Sequence, residues 1–437
     1  MPARWNLPYI LTSCLTIALS GLAGCGSGKL SAPSGSDSPV IVGSQLNSLP
    51  APPAQSNVNT YAGVGVAGGE DLSWNWYIAH PNRTYNYQQQ QGVSSSSGTF
   101  STGIFSSVGD FQYFADDSNY PYTLEGLNVE INGGVSLLEP AFTGFPTFTL
   151  AVGVAQQETG CLAPNGKVGI DFLQIPGPGP TSATVATDAL FAHADLTYKG
   201  DTFSYSNIQQ MAFAGAAAST HMIPFADSYC IQADAGYGLE STPLRAAGGS
   251  ESMLAYLGST GVLVGVSNGS STGAGILGIV EPSAAIDLSS VTAGSYRGFY
   301  DQDAEIVYQD PAYFGKASPW VTAPVFPQTA GTLVGGYEDF YTFEYAYPEA
   351  PVTGNIRIDF GAQDSSHAGL FPAASITEPD LANACKSSQQ TTGADGNTYC
   401  TFPVAALIGK SYGKYEIFIS GPEPTTGFPL FYALLQD

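Results

Sequence analysis

Three residue patterns in this chain could carry chemistry. Asp301, Asp303 and Glu305, in DQDAE, put three carboxylates at alternate positions. On a strand they share one face, and in a loop they could converge on calcium, a hard cation that takes oxygen ligands. The EF-hand pattern fails, because Ile306 stands where its glycine belongs and Ala312 where its bidentate glutamate belongs. GVSNG (265–269) and GSSTG (269–273) both satisfy GxSxG, a serine-nucleophile pattern that needs a strand, a sharp turn and then a helix. Strand-like runs flank both, so they read as a glycine-rich turn. The third pattern is aromatic. Tyr341, Phe343, Tyr345 and Tyr347 alternate within EDFYTFEYAYPEAP (338–351), which lines them up on one face of a strand. Such a face can fill a core or, exposed, stack on the weakly polar faces of sugar rings, with tyrosine adding a polar rim. It is the candidate glycan-binding segment. Trp74 and Trp76 alternate in the same way and read as core.

These residues need a frame, and the frame reads as β. From about residue 57 short runs rich in Tyr, Phe, Val, Ile and Thr are separated by Gly, Pro, Asn and Asp, the signature of strands and turns. YTLEGLNVEI (122–131), KVGIDFLQI (167–175), GILGIV (275–280), NIRIDF (355–360), YEIFIS (415–420) and PLFYALL (429–435) all have strand length. Helical periodicity is nearly absent, and TEPDLANAC (377–385) is the one short helix expected. About 380 residues is long for one sandwich or barrel, and a Pro/Ser/Ala-rich connection near 288–294 divides them. The expectation is an all-β body of two β-sandwich or β-barrel domains, 57–289 and 290–437, behind a flexible tether.

The first residues look like an export signal: Arg4, then an apolar run from Leu7 to Ala23 broken by Pro8, Thr12, Ser13, Thr16 and Ser20, then small residues. The run is shorter than the 20 or so apolar residues of a stable membrane span. Leu22-Ala23-Gly24-Cys25 resembles the lipobox of bacterial lipoproteins. The resemblance covers the signal alone. It implies that residues 1–24 are removed, that Cys25 becomes the lipidated first residue, and that Gly26, not being aspartate, directs the protein to the outer membrane, facing the periplasm or the cell surface. Two or three acyl chains hold a membrane durably without a helix. Residues 25–56, rich in Ser, Gly and Pro, then form a tether spanning on the order of 30 Å.

Four cysteines remain in the exported body, Cys161, Cys230, Cys385 and Cys400, and an even number there points to disulfides. Asp395-Gly396-Asn397 puts a turn between the last two, which favours Cys385–Cys400 and leaves Cys161–Cys230. No CxxC or HxxxH spacing is present, and His80, His193, His221 and His367 are dispersed, so the sequence gives no sign of a zinc site.

With 36 acidic residues against 12 Lys and Arg, scattered singly, the formal charge is −24. A phosphate-binding surface needs clustered cations, so nucleic acid is excluded as a partner. No cofactor is expected. Partners are the membrane, through the Cys25 lipid, and a glycan; oligomeric state has no signature. The reading is a non-enzymatic envelope protein with a binding or structural role. A lipid-anchored hydrolase of envelope or external polysaccharide is the alternative, and it would need two carboxylates about 5 to 10 Å apart in a deep cleft.

Overall fold

The computed structural model describes the chain between Val58 and Asp437, leaving aside 102–110, 117–122, 141–150, 156–159, 163–165, 176–190, 212–226, 269–274, 303–309, 338–350, 380–384, 423–428 and several shorter turns. Cys25 and the tether, the aromatic row Tyr341 to Tyr347, and Asp303 and Glu305 lie outside the described residues. What is described is all-β, with one five-residue helix.

The first sheet takes β1 (Val58–Ala67), β2 (Glu70–Ala79), β3 (Thr84–Gln91), β4 (Ser94–Ser101), β5 (Phe111–Asp116), β6 (Thr123–Ile131), β7 (Val135–Pro140) and β8 (Ala151–Ala155). Their order is β4-β3-β2-β1-β8-β7-β6-β5, with every pairing antiparallel. A second sheet takes β9 (Lys167–Ile175), β10 (Phe191–Lys199), β11 (Thr202–Met211), β12 (Ser228–Ala233), β13 (Gly236–Ser241), β14 (Leu244–Ala246), β15 (Gly249–Leu257), β16 (Val262–Asn268) and β17 (Gly275–Val280). It closes on itself: β17 returns to β9, and β13 pairs with β15 past the short β14. The result is a meander barrel of eight strands.

After α1 (Leu288–Thr292) the same winding is repeated by β18 (Tyr296–Gln302), β19 (Asp310–Phe314), β20 (Val321–Thr322), β21 (Thr332–Tyr337), β22 (Val352–Thr353), β23 (Ile356–Asp359), β24 (Leu370–Pro379), β25 (Gln390–Thr392), β26 (Thr398–Ser411), β27 (Lys414–Pro422) and β28 (Pro429–Gln436). Here β28 returns to β18 and β24 pairs with β26, closing a second eight-stranded barrel. The small strands β20 and β22 pair in parallel beside it, and β25 hangs on β26.

An eight-stranded barrel is just wide enough for side chains to fill it, and both are filled. Ile170, Phe172, Leu196, Phe203, Leu257 and Leu263 belong to the first core. In the second, Tyr300 stacks between Tyr337 and Tyr432 at 4.5 Å from each, surrounded by Phe314, Phe371, Phe402 and Ile417. Each such side chain buried contributes about 1.5–3 kcal/mol.

The short helix expected at 377–385 does not begin at Thr377, and residues 380–384 lie outside the described residues. Thr377 to Pro379 end β24 and pair with Thr401 to Tyr399 of β26, so the ladder takes the backbone groups that a helix would have used. The described helix is at Leu288–Thr292. Asp287 caps it, accepting the Ser289 N–H at 3.0 Å and the Ser289 and Ser290 hydroxyls, which holds its carboxyl down at about 2.

Cys161 is bonded to Cys230 and Cys385 to Cys400, the pairing favoured by the sequence, with Cα separations of 5.8 and 5.7 Å. The second bond ties residues 15 apart, for which restricting the unfolded chain stabilises by about 3 kcal/mol. Replacing Cys385 and Cys400 together by serine should lower the unfolding free energy by about that amount in denaturant titration. A change below about 0.5 kcal/mol would show that the bridge does not hold the fold.

Candidate functional site

On β9 the side chains of Ile170 and Phe172 enter the barrel, so Gly169 and Asp171 face outward. On β10 Ala192 and Ala194 point in, and His193 faces out directly opposite Asp171. That outer face is not in water, because β26 and β27 of the second barrel pack against β9. Asp171 is 2% exposed and His193 4%. A charged pair has been folded into an apolar junction.

Two more groups complete the cluster. Glu281 follows β17, and its N–H donates to the Gly169 carbonyl at 2.9 Å, extending the ladder by one residue. Its carboxylate lies across Gly169, where a Cβ would sit 2.2 Å from Oε2. A larger residue there would displace the end of the Glu281 side chain. His367 arrives from the second barrel, on the connection between β23 and β24. That loop is pinned by Asp364, whose Oδ1 accepts the N–H groups of Ser366 at 2.8 Å and His367 at 3.1 Å.

The four groups meet closely. His193 Nδ1 lies 3.0 Å from Asp171 Oδ1 and 3.2 Å from Glu281 Oε1, and His367 Nδ1 lies 2.8 Å from the same Glu281 oxygen. The two imidazoles overlap at 3.8 Å between centroids. One donor atom from each of Asp171, His193, Glu281 and His367 lies within 4.8 Å of all the others. The other ring nitrogen of His193 faces Asp195 Oδ1 at 3.9 Å, and Asp195 is itself held by Lys167 at 2.6 Å and Asn207 at 2.5 Å. A cleft of about 390 Å³, lined by Asp195, Asn207, Ser366 and both histidines among others, opens onto the cluster.

The electrostatics follow from burial and pairing. Burial pushes the Asp171 carboxyl up to about 6, against the hydrogen bond from His193. Burial pulls the His193 imidazole down, but hydrogen bonds to Asp171 and Glu281, and the charges of both, outweigh it and raise it to about 9. Burial also works to raise Asp195, and the Lys167 and Asn207 hydrogen bonds overcome it and lower that carboxyl. Near neutral pH His193 is therefore an imidazolium beside the Asp171 carboxylate.

Chemically, two carboxylates and two imidazoles can hold a proton or a cation.

Of the residues singled out by the sequence, Asp301 sits on β18 opposite Phe431 of β28, away from this cluster in the pairing. Trp74 and Trp76 lie on β2, in register with Gly63 and Tyr61 of β1. Ser267 is on β16, and the next described element is antiparallel β17; residues 269–274, which hold most of the second GxSxG motif, lie outside the described residues. None of the four cluster residues stood out. Asp171 looks like a solvent-facing position of an alternating strand, and the histidines are far apart along the chain. The usable signal was an acidic residue set midway in KVGIDFLQI and another directly after GILGIV.

No protein-family model matches the chain, and no curated protein matches it. Among solved structures, isotype 1 transferrin binding protein B from serogroup B Neisseria meningitidis is similar over 87% of this chain and 77% of its own, at 9% identity and a TM-score of 0.25. A score that low carries no argument about what this chain does.

Placing a methyl group at Gly169 should push Glu281 off the cluster while leaving the ladder intact. Gly169→Ala is expected to cost about 1–3 kcal/mol, and adding Glu281→Ala in the same chain should remove most of that penalty. A double-mutant cycle of chemical denaturation measures it; strict additivity would mean the two residues do not compete for the space.

Proposed function

We propose that this chain is an exported, lipid-anchored envelope protein with a binding or structural role and no catalytic one. Cys25 carries the lipid at the outer membrane, and the body faces the periplasm or the cell surface. The observation that supports the non-catalytic part is the filling of both barrels. Tyr296, Tyr300 and Tyr432 in one core and Phe172 and Phe203 in the other are 2% exposed or less, so these large side chains occupy the barrel interiors that a substrate would need. What the body offers a partner is its outer surface.

The lipid anchor rests on the LAGC placement after an apolar run. Cys25→Ser should release the protein from membranes or leave the signal uncut, read by fractionation and by intact mass. Normal processing and membrane attachment in that variant would overturn the anchor.

A glycan is the ligand class we assign to the aromatic row Tyr341, Phe343, Tyr345 and Tyr347. Ring faces with polar rims suit sugars and need none of the cations that this chain lacks. Tyr341→Ala and Tyr345→Ala should weaken binding on a glycan array while leaving the melting temperature unchanged. A core aromatic truncated in the same way costs about 3–5 kcal/mol, so variants that unfold early, or that bind every glycan as the parent does, would remove the row from the binding site.

A further inference from the structure

We propose that Asp171, His193, Glu281 and His367 form a structural site for one divalent first-row transition cation, best fitted by zinc, that clamps the second barrel to the first. The donor set is two imidazoles and two carboxylates, and imidazole selects against calcium and magnesium, which take oxygen ligands. The charge also fits. Two carboxylates with two neutral imidazoles carry −2, which a divalent cation cancels in a place where uncompensated charge is costly.

The spacing is that of ligands around one centre. Bonds of about 2.0–2.1 Å at tetrahedral angles set neighbouring donors roughly 3.3 Å apart; three of the six separations are 3.0, 3.2 and 2.8 Å, and all six lie within 4.8 Å. Hydrogen bonding alone explains the arrangement less well. His193 Nδ1 has at most one proton, yet it faces an oxygen of Asp171 at 3.0 Å and one of Glu281 at 3.2 Å. A cation among them satisfies every donor at once.

The surroundings match as well. Ligating histidines usually have a carboxylate near the other nitrogen, and Asp195 Oδ1 lies 3.9 Å from His193 Nε2, outside hydrogen-bond reach, with Asp195 itself fixed by Lys167 and Asn207. The cleft beside the cluster provides an entry path. With four protein ligands the coordination is closed, which is the structural and not the catalytic pattern. Three ligands come from the first barrel and its exit, and His367 comes from the second, so the metal bridges two bodies. The site is independent of the glycan reading.

The test uses the full chain in detergent, stripped with chelator and titrated with Zn²⁺ against a fluorescent zinc indicator. One equivalent should bind per chain. His367→Ala should weaken binding by more than the roughly 10- to 100-fold that losing an outer partner costs, while His80→Ala should leave it unchanged. Should His367→Ala fail to fold, Glu281→Gln keeps the side-chain shape and must show the same weakening. The proposal is overturned if the folded, stripped chain takes up no zinc at micromolar concentration. It is equally overturned if the cluster variants bind as the parent does, or if His80→Ala is the one that loses binding.

Discussion

Ring closure of the antiparallel ladder is the constraint from which the rest of this molecule follows. Once β17 pairs with β9 and β28 with β18, each ladder returns to its first strand and each ring closes, with β11 meeting β12 at only Thr202 and Phe203. The interior of each ring must then be filled by every second side chain, and it is. Filling one face leaves the other facing outward. Where the barrels meet, that outer face is buried too, which is why Ile170, Asp171, Phe172 and Leu173 are all buried in succession on β9. A polar side chain on such a face has no water and must find partners across the junction.

Much of this was legible because it is local. KVGIDFLQI and GILGIV became β9 and β17 with the same bounds, and YEIFIS and PLFYALL fall within β27 and β28. Alternation and turn residues act within ten positions, so a single sequence displays them. The Cys385–Cys400 pair was legible for the same reason, since a turn stands between them. Whether strands form barrels or sandwiches depends on which strand meets the first one again, and no local pattern encodes that. The misplaced helix has a similar origin. Thr377 to Pro379 have acceptable helical chemistry on their own, and the presence of β26 alongside decides against it.

The cluster at the junction was illegible for a deeper reason. His193 and Asp171 are neighbours by strand register, Glu281 by extension of the ladder, and His367 by the packing of one barrel on another. Each relation arises at a different level of the fold, so spacing along the chain records none of them. Gly169 is the exception in principle: a glycine in mid-strand often marks a close approach, and here the approaching group is the Glu281 carboxylate.

Low positive charge gives that cluster its significance. In a chain with 12 Lys and Arg against 36 acidic residues, most carboxylates must stay in water, and those folded inside need another source of compensation. Elsewhere in the structure a permanent cation is used: Arg297, 5% exposed, donates from Nε to Asp437. At the barrel junction the compensating groups are imidazoles. A guanidinium is charged at every accessible pH, whereas an imidazole offsets a carboxylate only when it carries a proton or shares a cation with it. At the place where β26 and β27 of one barrel pack on β9 of the other, compensation of the buried carboxylates is therefore conditional on the state of His193 and His367.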